Sequence, residues 1–188
     1  MILFIENDKI YCYIHIPKNS GTYFGKKIEE NTECTVIKKL WGVKHFFDLA
    51  HIPYMFVNRY LPMLKSNNVE YIAHTRNPYD RFISAFFYMF PKKSTDQFKL
   101  FITNELVNFI FDIKFGKNII HFYPQYFFVC DKYLKIPKNI TIYKTENLFS
   151  NFTKYNLRNY YDNNTIQIIN KIYELDFNFF HYEKLTTI

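Results

Sequence analysis

The sequence predicts an α/β fold, a mainly parallel central sheet flanked by helices, in a single domain over residues 1–188. Three observations carry this. Apolar runs rich in β-branched and aromatic residues alternate with stretches of helical periodicity. Two of those runs, ending near Pro17 and at Thr75, break into a polar turn that opens a helix. No internal repeat, low-complexity tract or linker divides the chain. At 188 residues, 48% hydrophobic and 21% aromatic, it has material for one sizeable core.

The elements follow in order. Tyr11-Cys-Tyr-Ile-His-Ile16 reads as a buried strand, ended by Pro17, which has no N–H to donate. Residues 22–31 have helical character, with Phe24 and Ile28 spaced i, i+4 and Lys/Glu on the other face. Thr35-Val-Ile37 is a short strand, and residues 44–48 and 51–53 read as loop. A helix is expected from Pro53 to Leu64, with Pro53 in its first turn and a disturbance near Pro62. Tyr71-Ile-Ala-His-Thr75 is a second core strand. Pro78 starts a helix whose apolar face is Phe82, Ala85, Phe86 and Met89. A longer amphipathic helix spans 96–115, a third strand 140–143, a helix opens at Glu146, and one helix over 165–180 closes the chain.

Composition narrows the partners. Lys and Arg number 24 against 17 Asp and Glu, a net charge of +7, which favours anionic ligands. The basic residues are spread out, with only pairs such as Lys38-Lys39 and Lys92-Lys93, so a nucleic-acid partner is not expected. Cys12, Cys34 and Cys130 lie far apart with no CxxC pair or His/Cys ligand spacing, which argues against a zinc site or a disulfide framework. The start, Met1-Ile-Leu-Phe-Ile-Glu-Asn-Asp, meets charge too soon for a signal peptide. No run approaches the ~18 apolar residues of a spanning helix. A soluble, cytoplasmic protein without a metal is the expectation.

The chemistry concentrates in two turns. Lys18-Asn-Ser-Gly-Thr22 offers a cation, hydroxyls and backbone N–H donors where a helix begins. The unpaired N–H groups and positive dipole end there make it a candidate anion cradle. The plainer alternative is a strand-turn-helix corner with a Ser/Thr cap. Arg76 leaves the end of the second strand, and Ser84 follows about two turns into the helix that Pro78 starts. Two such units suggest one ligand with two separate anionic groups.

On these residues the chain resembles the sulfotransferases that use 3′-phosphoadenosine-5′-phosphosulfate (PAPS). Pro17-Lys-Asn-Ser-Gly-Thr22 is similar to their 5′-phosphosulfate loop, and Arg76-Asn-Pro-Tyr-Asp-Arg-Phe-Ile-Ser84 to their 3′-phosphate motif. Ile142-Tyr-Lys-Thr-Glu-Asn-Leu148 and the segment from Tyr173 to Tyr182 are similar to later parts of the carbohydrate-type branch. The resemblance implies a P-loop-like sulfotransferase fold and sulfuryl transfer from PAPS to an acceptor hydroxyl, on a carbohydrate. It implies Lys18 on the leaving oxygen, Asn19, Ser20, Gly21, Thr22 and Tyr23 around the 5′-phosphate, and Arg76 with Ser84 on the 3′-phosphate. Sulfate carries less charge than a terminal phosphate, so the lack of obvious Mg²⁺ ligands is no obstacle.

The acceptor hydroxyl needs a base, and His45, Asp48 and His51 lie between the two motifs. His51-Ile-Pro53 resembles a His-x-Pro element of carbohydrate sulfotransferases, which favours His51. His45-Phe-Phe-Asp48 resembles a segment of the heparan 3-O-sulfating branch, but the catalytic Glu of that branch is replaced by Val43. His121 and Gln125 are possible acceptor contacts. His74 reads as packed, Arg81 as pairing with Asp80 or a neighbouring loop, and Glu29 and Glu30 as solvated helix charges. Two other readings stand beside this one. A nucleotide kinase lacks its Walker pattern here, since Lys18 precedes Gly21. A non-catalytic nucleotide- or glycan-binding derivative fits the short chain.

Overall fold

Asn7 and Asp8 hold φ of 48° and 61°, the left-handed pair that a two-residue hairpin turn needs and that Asn and Asp tolerate. They fold Ile2–Glu6 (β1) back onto Lys9–Ile14 (β2), with Ile2 opposite Tyr13 and Glu6 opposite Lys9. β1 also pairs antiparallel with Cys34–Lys39 (β3), across a register shift between Leu3 and Phe4. Val43–Lys44 (β4) and Phe47–Asp48 (β5) form a small separate antiparallel ladder. β2 then runs parallel to Val69–Thr75 (β6), and β6 parallel to Ile140–Lys144 (β7). The open sheet has five strands in the order β3-β1-β2-β6-β7. The computed structural model describes residues 1–44, 47–66, 68–111, 119–148 and 155–188.

Gly21–Glu30 (α1) follows β2, and Tyr54–Tyr60 (α2) precedes β6. Pro78–Met89 (α3) follows β6. Thr95–Leu100 (α4) passes through a π-helical turn at Phe101–Glu105 into Leu106–Phe111 (α5). Tyr126–Val129 (α6) and Thr145–Leu148 (α7) are single turns, and Asn163–Ile172 (α8) and Glu174–Phe180 (α9) end the chain.

Strand alternation distributes the core. Ile2, Phe4 and Tyr13 point to one face and pack with Ile28 and Phe24 of α1. Leu3, Cys12, Ile14, Tyr71 and Ala73 face the other way, onto Val57 of α2 and Phe128 and Val129 of α6. Beyond the sheet a cluster joins α3, α4, α8 and α9 through Phe82, Phe86, Phe98, Ile166, Ile169 and Phe177, with Tyr161 just ahead of α8. Phe82 lies within 5.5 Å, ring to ring, of both Phe98 and Phe122.

Several sequence expectations are corrected. The sheet is mixed and not mainly parallel, because the Asn7-Asp8 turn adds β1 as a strand. β1 alone runs against the other four. The expected loop at 44–48 carries β4 and β5 instead. The helix expected over 96–115 contains the π-turn, and residues 112–115 lie outside the described residues. The single helix over 165–180 is two, broken at Tyr173, whose ψ is 26° and whose buried hydroxyl donates to the Phe122 carbonyl at 2.6 Å. Glu174 and Asp176 in the first turn of α9 suit a new N-terminus there. The expected helix from Pro53 stops at Tyr60, and Pro62–Ser66 forms a 3-10 turn. Cys12 and Cys130 are buried free thiols. No helix among the described residues is long and apolar enough to cross a membrane.

Phe82→Ala should leave a cavity at the centre of the aromatic cluster and destabilise the fold by about 3–5 kcal/mol. The check is urea unfolding, with a lower midpoint at an unchanged slope.

Candidate functional site

β2, β6 and β7 are parallel, so their carboxyl ends emerge side by side, and ligand crevices of α/β sheets form there. The chain leaving β2 takes Lys18 and Ser20 into left-handed space, with φ of 68° and 59°. Ser20 sits at the N-cap of α1 without a side-chain capping bond. The expected Ser/Thr cap is therefore not made, and the Ser20 hydroxyl faces a cleft. The first-turn N–H groups of a helix have no partner within it. Gly21 is required for close approach: a Cβ there would stand 1.8 Å from Cδ2 of the His15 ring.

The cleft has a volume of about 480 Å³. Lys18, Ser20, Gly21 and Thr22 line it from the first turn, and Arg76 and Ser84 from the second. The structure thus brings together six of the residues proposed for the cofactor, and His51, Asp48 and His121 line the same cleft. Asn19 and Tyr23 do not line it. Asn19 is fully buried and points inward, while Tyr23 is 48% exposed on α1, beneath Lys27. His45 lies outside the described residues.

Buried polar contacts fasten the two turns to each other. Asn19 donates from Nδ2 to the His74 carbonyl at 2.6 Å and to Gln125 Oε1 at 2.7 Å. Gln125 Oε1 also accepts the Arg76 N–H at 2.8 Å, and its Nε2 donates to the Arg76 carbonyl at 2.8 Å. Arg76 Nη1 reaches the Lys18 carbonyl at 3.3 Å. Arg81, fully buried, donates to the carbonyls of Pro17 (3.0 Å) and His121 (3.1 Å), which makes it the loop anchor expected of it. Thr145 Oγ1 donates to the Thr75 carbonyl, and Glu146 Oε1 accepts the Asn77 N–H at 2.6 Å. The Ile142–Leu148 segment is thereby a brace for the second turn.

A histidine-rich wall faces the turns. His51 ends a 3-10 turn, Leu49–His51, that Asp48 caps by accepting the Ala50 N–H at 2.9 Å. His51 Nδ1 lies 2.7 Å from the His15 carbonyl. Only a protonated Nδ1 can donate to that oxygen, so Nε2 is the lone-pair nitrogen. Burial lowers the His51 pKa, opposed by the His15 bond and by Asp48. Burial, then the neighbouring His51, holds His15 well below its ordinary value. The two rings are 4.4 Å apart, and His121 is 5.6 Å from His51. Lys18 Nζ sits 4.0 Å over the Tyr88 ring; burial, Arg76 and Arg81 all lower its pKa.

Of the remaining candidates, His74 is packed between Tyr13 and Phe24, as expected. Glu29 and Glu30 pair with exposed lysines. Sequence reasoning missed His15, Trp41 and Tyr88 as cleft residues and Asp176 as a support. His15 read as part of a strand, and nothing local marks the others. Among the described residues, no cluster of three or more His, Cys, Asp or Glu side chains is placed to hold a metal ion. No family model matches the chain, and no curated protein matches it.

The packed His74 has a pH signature. Burial lowers its pKa from 6.5 to about 4, so the unfolded chain takes up the proton first as pH falls. Its contribution to stability is then lost between those two values. Between pH 7.5 and pH 5 the wild type should lose about 2 kcal/mol more than His74→Phe. Urea unfolding of both chains at the two pH values reads the difference.

Proposed function

We propose that the protein is a PAPS-dependent sulfotransferase with a P-loop-like sulfotransferase fold, acting on an acceptor hydroxyl of a carbohydrate. The observation that carries the reading is convergence. The turn after β2 and the turn after β6, proposed separately from sequence, open onto one cleft with a neutral histidine opposite.

The residues present suit a ligand with two anionic groups. A backbone that enters left-handed space at Lys18 and again at Ser20 curls as anion-binding nests do. It leads directly into the helix N-terminus of α1, where the absence of a side chain on Gly21 makes room for the His15 ring. Ser20, Gly21 and Thr22 would hold the 5′-phosphate. Arg76 and Ser84 would hold the 3′-phosphate, for which a planar guanidinium is suited because it donates bidentately. Arg76, buried, has already shed most of its hydration, so an anion binding it adds little desolvation cost.

PAPS supplies a sulfuryl group on a phosphate leaving group. Lys18 is the residue that meets the charge growing on the leaving oxygen as the S–O bond breaks. The ammonium now rests on the Tyr88 ring, a contact of modest strength that an oxyanion can outcompete. His51 takes the acceptor proton at Nε2 as the new O–S bond forms, held in that tautomer by the His15 carbonyl. Its lowered pKa keeps it unprotonated near neutral pH. Trp41, 60% exposed at the cleft, offers a flat apolar face to a sugar ring.

Calorimetry should show tighter binding of adenosine 3′,5′-bisphosphate than of AMP. Arg76→Ala should erase that preference, a loss of about tenfold or more for a charge-assisted phosphate contact. Equal affinity for the two nucleotides in the wild type would overturn the reading. In transfer of label from PAPS to a mixed glycan panel, Lys18→Ala and His51→Asn should each lower turnover by about 10²-fold or more. Binding without transfer by the wild type would leave a nucleotide-binding derivative.

A further inference from the structure

Gln125 is fully buried, and its carboxamide is divided between the two anion turns. Oε1 accepts from Asn19 Nδ2 on one side and from the Arg76 N–H on the other; Nε2 donates to the Arg76 carbonyl. Its backbone is held in turn. The Gln125 N–H donates to Asp176 Oδ2 and the Tyr126 N–H to Asp176 Oδ1, both at 2.8 Å. Asp176 is itself fully buried on α9, so Gln125 is fixed from behind by the last helix of the chain.

We propose that Gln125 is a positioning residue that sets the separation of the two anion turns, and so makes the cleft selective for a ligand with two anionic groups at one fixed spacing. This rests on the two-phosphate reading and deepens it. The argument is one of chemistry and place. Only a group that accepts and donates within one plane can take an N–H and a side-chain amide while returning a hydrogen bond to Arg76. A carboxylate lacks the donor, and an asparagine is one methylene short. Each turn keeps its own anion-binding groups without Gln125, namely the N-terminus of α1 on one side and Arg76 with Ser84 on the other. What would go is their mutual distance, and with it the gain from binding both phosphates at once.

The test compares AMP, adenosine 3′-monophosphate and adenosine 3′,5′-bisphosphate by calorimetry on the wild type, Gln125→Met and Gln125→Glu. The methionine keeps the volume and removes the hydrogen bonds. The glutamate keeps both acceptor contacts and, once protonated, adds no charge, so read at low pH against neutral pH it serves if the methionine variant fails to fold. The expected result is a loss of about tenfold or more in bisphosphate affinity, with each monophosphate changed by less than about threefold. Gln125→Glu should recover bisphosphate affinity as pH falls, because a protonated carboxyl regains a donor. Equal weakening of all three ligands would mean a merely structural residue and overturn the inference. So would a bisphosphate preference that survives both substitutions. A wild type that never prefers the bisphosphate overturns the reading beneath it, and that is seen before any variant is made.

Discussion

The structure depends on how a buried carboxamide and a buried carboxylate are satisfied. Gln125 and Asp176 have no exposed surface, and a polar group removed from water without partners costs several kcal/mol. Both are therefore committed to the contacts that they make: Asp176 to two consecutive N–H groups at the start of α6, and Gln125 to Asn19 and Arg76. Burial still pushes the Asp176 carboxyl up to about 6, with Arg81 and the two N–H bonds drawing it down. The two turns at the ends of β2 and β6 are thus not free loops. They are fixed by the same pair of side chains, reached from the far end of the sequence.

The same low-dielectric setting explains the charge pattern of the cleft. Arg81 and Arg76 are buried, and their guanidinium groups are directed at backbone carbonyls of the first turn. A carbonyl offsets desolvation without neutralising the positive charge. Carboxylates hold the charges as well, Asp80 and Glu146 near Arg76 and Asp176 near Arg81. The histidines follow the opposite course. Burial lowers the pKa of His15 and His51, so the wall facing the turns offers lone pairs instead of more positive charge. One side of the cleft thus carries cations and the other carries histidines whose pKa values burial lowers.

The convergence of the two turns on one cleft was legible in the sequence because each turn is local. Lys18 to Thr22 are consecutive, and Arg76 and Ser84 are tied by the period of one helix that Pro78 starts and Asn77 caps. Strand–turn–helix units were legible for the same reason, as the agreement at β6, α3 and β7 illustrates. What the sequence hid is tertiary. The break at Tyr173 depends on a hydroxyl bond to Phe122, 51 residues away. Gln125 reads as a possible acceptor contact, yet it is fully buried and does not line the cleft, and its bridging place needs three elements to meet. Tyr23 and Asn19 belong to the right motif, but helix phase and burial turn them elsewhere. β1 went unread as a strand although its Asn7-Asp8 turn was visible. An apolar N-terminal run draws attention to targeting before pairing.

That missed strand bears on the chemistry. Met1 accepts the Leu40 N–H on its carbonyl at 3.0 Å, and its nitrogen donates to the Ala50 carbonyl at 2.7 Å. It therefore grips both ends of the segment between β3 and the Leu49–His51 turn. Within that segment the Leu49 N–H closes on the Gly42 carbonyl at 2.8 Å, where Gly42 takes a φ of 88°. Trp41 and His51, the two residues assigned to the acceptor side, sit on this one clasp. A sheet of parallel strands alone would have supplied the anion turns and left the opposite wall without support. The single reversed strand joins β3 to the sheet, and Met1 just before it ties down the turn that carries His51. The mixed sheet is thus the means by which one end of a parallel βα arrangement acquires a second wall.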